Sequence, residues 1–138
     1  MIPELEVQKA IRERLVGNQR VIDLVPATHI LDTNQRPAPM PSIILGESQS
    51  VDEGTSIKRT HWRIYHTLHL WVREPSLERV KALAGAIRAE LRLGRLALPE
   101  GLHCTDLQVA GMRFLRDPEG EHSHGVVTLE ILLSEVTP

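Results

Sequence analysis

The sequence predicts an α+β protein: an antiparallel sheet of four to five strands, two amphipathic helices packed on one face, and a long C-terminal β-hairpin. Three observations lead to this prediction. Apolar residues alternate over residues 62–73 and again over 126–133, which is the period of a strand with one well-buried face. Two other segments, 3–16 and 77–92, repeat apolar residues at helical spacing. With 138 residues and no internal repeat, the chain is expected to form a single domain, 1–138.

The first helix is predicted from Pro3 to about residue 16. Proline is tolerated in a first helical turn, and Glu4 and Glu6 suit the positive end of the helix dipole. Glycine and asparagine at 17–18 provide a stop. A second, short helical segment is expected over residues 19–25, ended by Pro26.

Weaker signals follow in the next part of the chain. Residues 28–32 fit a short edge strand, and 33–41, with three prolines, fit an extended loop. Residues 42–46 read as a short apolar strand. The polar stretch 49–60 has neither helical nor strand period, which predicts a long loop that is mobile in the free protein.

The strand over residues 62–73 has two distinct faces. The predicted core face comprises Trp62, Ile64, His66, Leu68, Leu70 and Val72, with His66 its one polar member, expected to be hydrogen-bonded. After this strand, Ser76 is a plausible helix N-cap, and the second amphipathic helix spans 77–92. Residues 96–98 are expected to pair briefly with a neighbouring strand.

The C-terminal hairpin has the clearest turn signal. Asp117, Pro118 and Gly120 occupy the positions that these residue types favour in a type I turn. Val127, Leu129, Ile131 and Leu133 then fall on one face of the returning strand. The sequence predicts two long strands between residues 105 and 135.

Composition excludes several classes of protein. Sixteen basic and 18 acidic residues give a formal charge of −2, which argues against a dedicated nucleic-acid binder. The single cysteine, Cys104, allows no internal disulfide. No apolar run is long enough to span a bilayer, and the N-terminus lacks the features of a signal peptide. No phosphate-binding glycine motif or nucleophile elbow is present, so no cofactor is expected.

The histidines leave one catalytic alternative open. His122 and His124 share a strand face and lie about 7 Å apart along the strand, so a third ligand would complete a metal site. This gives a rival hypothesis of a small metal-dependent enzyme. The competing interpretation is two polar residues at an exposed hairpin end, with no catalytic residue and no metal. Cys104 and His103 point to opposite strand faces, which favours a buried, inert thiol over a nucleophile.

The second face of the strand over 62–73 carries residue types typical of protein interfaces. The alternative is that a further layer of the same chain covers this face. Candidate contact residues lie on the strand, in the 49–60 loop and around the hairpin turn. They are Arg63, Tyr65, His69, Trp71, Arg73, Asp52, Glu53, Lys58, Arg59, Arg116, Asp117, Glu119 and His122.

Several segments resemble a family of tailed-phage proteins described as tail completion, tail terminator or head–tail joining proteins, which also occur in prophages and gene transfer agents. The hairpin sequence FLRDPEG at 114–120, followed by HGVV at 124–127, carries the resemblance most strongly. PMPSIILG at 39–46, LHLWV at 68–72 and ALAGAIRAEL at 82–91 agree in order. These motifs are structural, not catalytic, and together with the N-terminal helix they cover nearly the whole chain.

This resemblance implies a structural virion protein made in the bacterial cytoplasm. It implies a ring of identical subunits, commonly a hexamer, at the head-proximal end of the tail tube. The implied partners are the chain itself, the tail tube protein and a head–tail connector or neck protein, with DNA only passing through the ring lumen and no membrane contact. A third hypothesis, a DNA-binding accessory protein, is disfavoured by the net charge.

Overall fold

The computed structural model describes residues 1–32 and 39–136, which form one five-stranded sheet and its helices. The elements in chain order are α1 (Pro3–Val16), α2 (Gln19–Leu24), a 3-10 turn (Ala27–His29), β1 (Ile30–Leu31), β2 (Ser42–Asp52), β3 (His61–Arg73), α3 (Glu78–Leu91), β4 (Leu102–Arg116) and β5 (His122–Glu135). The strand order is β1-β2-β3-β5-β4. The predicted α+β class and the C-terminal hairpin are confirmed.

β5 occupies the centre of the sheet, between β3 and β4, and is antiparallel to both. β2 is antiparallel to β3, whereas β1 runs parallel to β2. The prediction of an entirely antiparallel sheet is therefore wrong at β1. Ten residues (32–41) separate β1 from β2, and a connection of this length lets the chain return to run in the same direction, which a tight turn does not.

The core lies between the sheet and the helices, which all pack on one face. Alternate residues of β5, namely Val127, Leu129, Ile131 and Leu133, are almost fully buried, as the alternation predicted. α3 crosses β5 closely at Gly125, where an added Cβ would lie 3.0 Å from Cγ2 of Val80. The absence of a side chain at Gly125 thus sets how near α3 approaches the sheet.

β2 is longer than the sequence suggested. It continues through Asp52 and pairs with β3 over Gln49–Tyr65, Ser50–Ile64 and Val51–Arg63. The interpretation of residues 49–52 as loop is wrong, because pairing with the edge of a long neighbouring strand outweighs their polar composition. Only residues 53–60 connect β2 to β3.

The N-cap position of α3 is Leu77, one residue after the predicted Ser76, although Ser76 Oγ accepts from the Glu78 amide at 3.2 Å. Glu74 binds two further amides at this helix start. Glu74 is 6% exposed and accepts hydrogen bonds from the backbone amides of Arg79 and Val80, both at 2.9 Å. Its carboxylate also accepts from Ser123 Oγ at 2.7 Å and from Ser76 Oγ at 3.1 Å. Burial raises the pKa of Glu74, but these hydrogen bonds outweigh it and bring the pKa below its ordinary value.

Three smaller predictions are also resolved by the structure. Within residues 28–32, only Ile30–Leu31 form a strand, after the 3-10 turn. Residues 96–98 form no strand. For the predicted loop at 33–41, residues 33–38 lie outside the described part of the chain. In the described ranges, no helix has the length and apolar character required to cross a membrane.

Candidate assembly surface

The face of the sheet opposite the helices is uncovered. α1 packs against β2, and α3 packs against β3, β4 and β5, all from the core side. Over residues 1–32 and 39–136, no element lies on the other side, which we call the open face. The alternative that a second layer of this chain covers Tyr65 and Trp71 is therefore wrong for the described residues. Both side chains are half-buried because their neighbours on the sheet shield them.

A stack of three rings lies on the open face, two residues from the hairpin end of β3. The His124 imidazole lies on the Trp71 indole, with ring centroids 3.9 Å apart and planes 6° apart. The third ring, His69, stacks on His124 with the ring centroids 5.2 Å apart, and its Nδ1 lies 2.9 Å from His124 Nε2. The Nε2 of His69 lies 3.1 Å from a carboxylate oxygen of Glu47. One proton between the two imidazoles satisfies that contact, and Glu47 holds the orientation of His69.

The stack depends on a glycine at the edge of the sheet. A Cβ at Gly46 would lie 2.7 Å from Cδ2 of His69, so only glycine admits the ring there. Burial, together with the neighbouring His69, lowers the pKa of His124. A hydrogen bond from its own backbone amide, followed by the contact with His69, lowers the pKa of Glu47. At neutral pH the His124 ring is therefore neutral, and Glu47 is an anion at one end of the stack.

Charged residues follow along the same face toward the end of β3 that carries His61. Arg63 contacts the carboxylates of Glu53 and Glu130, and the side chains are half-buried. The hydrogen bond from Arg63 lowers the pKa of Glu53. Arg63 is thus already paired within its own subunit, which limits its use as a free interface charge.

The loop over residues 53–60 is held in shape by its own contacts. Asp52 accepts from the Gly54 amide at 2.6 Å and lies 3.6 Å from Arg59, which has a φ of 56°. The backbone amide of Glu53 donates to the carbonyl of His61 at 3.0 Å. The loop presents Ile57, which is fully exposed, beside the exposed Lys58.

The hairpin turn lies at the opposite end of the sheet. Gly120 donates to the carbonyl of Asp117 at 2.8 Å, which confirms the predicted turn, and Gly120 has a φ of 75°. The carboxylate of Asp117 lies 3.2 Å from Nδ1 of His122. Arg73 is level with His122 on the neighbouring strand. Arg73, Arg116 and Glu119 are exposed at this end.

The predicted site residues therefore form two groups joined by the open face. Asp52, Glu53, Lys58 and Arg59 lie at the loop end, while Arg73, Arg116, Asp117, Glu119 and His122 lie at the hairpin end. The 13 residues of β3 separate the ends by about 40 Å at 3.3 Å per residue. His69 and Trp71 come together on the open face, and Tyr65 and Arg63 continue it.

The two histidines proposed as metal ligands have different partners. His122 is paired with Asp117, and His124 with His69 and Trp71. In the part of the chain that the structure describes, no group of three or more His, Cys, Asp or Glu side chains has the geometry to hold a metal ion. His124 is instead a member of the aromatic stack.

Two titratable side chains, His66 and Cys104, are buried in the core. His66 is 1% exposed, and neither ring nitrogen has a hydrogen-bond partner among the described residues, so the expectation of a hydrogen-bonded His66 is wrong. Burial lowers the pKa of His66 to about 4, which keeps the ring neutral. Burial raises the pKa of Cys104, and its thiol donates to the Asp106 carbonyl, as expected of an inert thiol.

Sequence reasoning missed Glu47, Gly46 and the role of His124. Trp71 and His124 are directly opposed across β3 and β5. That relationship becomes visible only once the two strands are known to be neighbours, because 53 positions separate the residues in the chain. The alternation of each strand is the one signal in the sequence, and it places both residues on the face away from the core.

Solved structures share this fold. A chain of the "Virion of native gene transfer agent (GTA) particle" superimposes with a TM-score of 0.80 at 16% sequence identity, covering 95% of this chain and 96% of that chain. The bacteriophage SPP1 gp17 protein superimposes with a TM-score of 0.60 at 18% identity, covering 96% of this chain and 90% of that one. No curated protein matches the sequence.

The sequence itself matches a protein family over most of its length. The family is described as tail completion protein gp17, and its model matches residues 9–134. A tail completion protein is a structural part of a phage tail and not an enzyme, so the metal-enzyme hypothesis does not hold. The match also confirms the resemblance found in the hairpin and strand motifs. The chain belongs to the tail completion protein gp17 family and is a structural tail protein of a phage or phage-like particle.

Proposed function

We propose that copies of this chain form a closed ring, a hexamer, at the head-proximal end of the tail tube. The ring ends tube growth and offers the surface to which the head–tail connector binds. Membership in the tail completion family supports this role. The gene transfer agent virion chain and the SPP1 gp17 protein, which have the same fold, are consistent with it.

The observation that carries the proposal is the sheet face left uncovered by the described residues, with the Trp71–His124–His69 stack toward its hairpin end. Tryptophan is among the residues that contribute most to protein interfaces, and the stack fixes its side chain before binding. A single domain that leaves such a face without a covering layer gains by packing it against another protein.

The two ends of the sheet supply separate contacts. The 53–60 loop, with Ile57 fully exposed, binds the tail tube in this proposal. The hairpin end, with Arg73, Arg116 and Glu119, faces the connector. Because the ends lie about 40 Å apart, one subunit can contact both partners at the same time. The ring side facing the connector lacks a tube-binding loop, so no further tube layer is added.

The net charge suits a ring through which DNA passes. A formal charge of −2 gives the subunit no overall attraction for phosphate. Proteins that bind DNA tightly neutralise several phosphates with lysine and arginine, and a ring lined in that way would hold the DNA. We infer that DNA is in transit through the lumen and is not a bound partner.

The test is polymerisation of the tail tube protein with and without the purified chain. The proposal predicts that tubes stop growing when the chain is present and that electron microscopy shows a ring at one tube end. Subunits that are monomeric alone but form rings at the tube agree with the proposal. If tube length is unchanged at saturating chain concentration and no density is added to the tube ends, the proposal fails.

A further inference from the structure

The two lateral edges of the sheet differ in charge. At the β4 edge, Arg113 is exposed and lies on the open face, opposite Val126 of β5. Near the other edge, a groove lies where β1 ends. It is lined by Asp32, which follows β1, by His69 of β3, and by four residues of β2: Ile44, Leu45, Gly46 and Glu47. The Glu47 side chain is 71% exposed, and Asp32 is exposed as well. One edge thus presents a guanidinium and the other presents two carboxylates at a groove.

Arg113 and the groove lie along one row of paired residues that crosses the sheet. Ile44 pairs with His69, His69 with Val126, and Val126 with Arg113, so one row of the sheet runs from the groove to Arg113. Leu31, which pairs with Ile44, places Asp32 next to this row. Ile44, His69, Val126 and Arg113 alternate with the core positions and therefore lie on the same side of the sheet. Asp32 lies at the rim of the groove, where it accepts a hydrogen bond from Gln8 Nε2 of α1 at 3.4 Å.

The strand directions permit the two edges to meet. β4 runs antiparallel to β5, β5 to β3, and β3 to β2, so β4 and β2 run in opposite directions. A second copy in the same orientation therefore sets its β2 antiparallel to the first copy's β4. β1 pairs only with Ile43 and Ile44, so among the described residues no strand pairs with β2 on that side from Leu45 to Asp52. Ser50 Oγ donates to the Glu4 carboxylate of α1 at 2.8 Å.

We propose that the Arg113 guanidinium of one copy binds the Asp32–Glu47 groove of a second copy, joining the β4 edge to the β2 edge head to tail. This identifies the contact within the ring and so rests on the proposed function. A two-fold contact between two β4 edges would set Arg113 beside Arg113, whereas head-to-tail contact pairs opposite charges. A heterologous contact of this kind closes into a ring when its rotation is an exact divisor of a full turn.

Charge reversal at both edges tests the contact. Arg113→Glu and Glu47→Arg should each lower the fraction of chain in rings, alone or at tube ends, by at least about tenfold, because like charges then face each other. The double variant Arg113→Glu/Glu47→Arg should regain ring formation to within about threefold of the parent chain, because the pair is restored with its signs exchanged. Both substitutions are at exposed positions, and circular dichroism checks that the three variants fold.

Arg88→Glu is the matched control. It makes the same charge change at an exposed position of α3, on the helix side of the sheet and outside the proposed contact residues. It should leave ring formation unchanged. The inference is overturned if Arg88→Glu acts like Arg113→Glu, or if the double variant is no better than the single ones. If rings form in every charge-reversal variant, the proposed function stands and only the proposed edge contact is refuted.

A crosslinking experiment covers the case in which the parent chain forms no rings, where the proposed function fails. Arg113→Cys and Glu47→Cys are purified separately, mixed and oxidised. A one-to-one disulfide dimer that appears only in the mixture supports the edge contact. Equal yields from either variant alone would overturn it. Cys104, being buried, does not compete in this reaction.

Discussion

The His124 imidazole lies flat on the Trp71 indole, 3.9 Å between centroids, although 53 residues separate them in the chain. The pairing of β3 with β5 sets them opposite each other on the face without helices. Side chains held in one geometry before binding lose less entropy when a partner arrives. We therefore expect the stack to contribute less to the stability of the monomer than to the proposed assembly.

Trp71→Ala tests whether the stack matters more for assembly than for the stability of the monomer. Loss of the half-buried indole and its stacking should reduce the free energy of unfolding by about 1 to 2 kcal/mol. It should weaken assembly at the tube end by tenfold or more, as expected of a tryptophan at the centre of an interface. Chemical denaturation and a tube-length assay measure the two effects. Leu93→Ala, at an exposed position outside the sheet, is the control; equal effects of the two variants on assembly would contradict the role of the stack.

Glu74 joins the start of α3 to the ends of β3 and β5. Glu74→Ala leaves the amides of Arg79 and Val80 without their acceptor. It leaves the Ser123 hydroxyl only the Val72 carbonyl, at 3.3 Å. Because these groups are partly or fully buried, the loss should be about 2 to 4 kcal/mol in the free energy of unfolding. Urea denaturation measures it, and faster hydrogen exchange of the Val80 amide should accompany it.

Glu78→Ala is the matched control for that change, since Glu78 is an exposed acid in the first turn of α3. Its removal should cost no more than about 0.5 kcal/mol. Comparable losses in the two variants would show that Glu74 acts through general helix electrostatics and not through its particular hydrogen bonds.

Gly125 and Gly111 are a pair of glycines on neighbouring strands with opposite surroundings. A Cβ at Gly125 meets Val80 at 3.0 Å and Leu70 at 3.2 Å, whereas a Cβ at Gly111 meets nothing within 4 Å. Gly125→Ala should therefore lower the free energy of unfolding by about 1 to 3 kcal/mol, as core overpacking does. Gly111→Ala should change it by less than about 0.5 kcal/mol. Thermal denaturation of both variants checks the difference, and similar midpoints would mean that α3 does not depend on the close approach at β5.

His66 should make stability sensitive to acid. Burial lowers its pKa from 6.5 to about 4 in the folded chain, so the unfolded chain binds the extra proton between these values. Stability is then complete above pH 6.5 and falls as the pH drops toward 4, by up to about 3 kcal/mol at roughly 1.4 kcal/mol per pKa unit. Urea denaturation from pH 7 to pH 4 measures the loss.

His66→Leu isolates that contribution from the other titrating groups. The variant should lose less stability than the parent chain between pH 6.5 and pH 4, and it should be at least as stable at pH 7 because an unpaired buried polar ring is removed. His103→Leu, at an exposed position, should leave the pH profile unchanged. Parallel profiles for the parent chain and His66→Leu would refute the assignment.

Local sequence patterns were sufficient for the elements whose burial is periodic. The alternation in β5 and the helical spacing in α3 report directly which side chains are buried, and the Asp117–Gly120 turn is specified by its own residues. The polar end of β2 could not be recognised in this way, because its strand conformation comes from pairing with β3. The parallel direction of β1 depends on a connection whose path the sequence does not reveal.

Sequence patterns named several residues of the candidate surface but did not predict which of them lie next to each other. Tyr65, His69 and Trp71 were identified by strand alternation, but the partners that define the surface come from other strands. Glu47 and His124 reach His69 from β2 and β5, and Arg113 aligns with the groove only through three successive pairings. The role of Glu74 could not be read from the sequence for a similar reason. Its carboxylate binds backbone amides five and six residues later in the chain, and its contact with Ser123 spans 49 residues.

Direct imaging of tube ends tests the central claim. Tail tube protein is assembled in the presence of this chain, and the ends are averaged by cryo-electron microscopy. The account predicts one closed ring of six subunits on a single end, with the 53–60 loops against the tube and the hairpin turns facing away. Tubes that grow without limit, with the chain absent from both ends or spread along the tube wall, would contradict it.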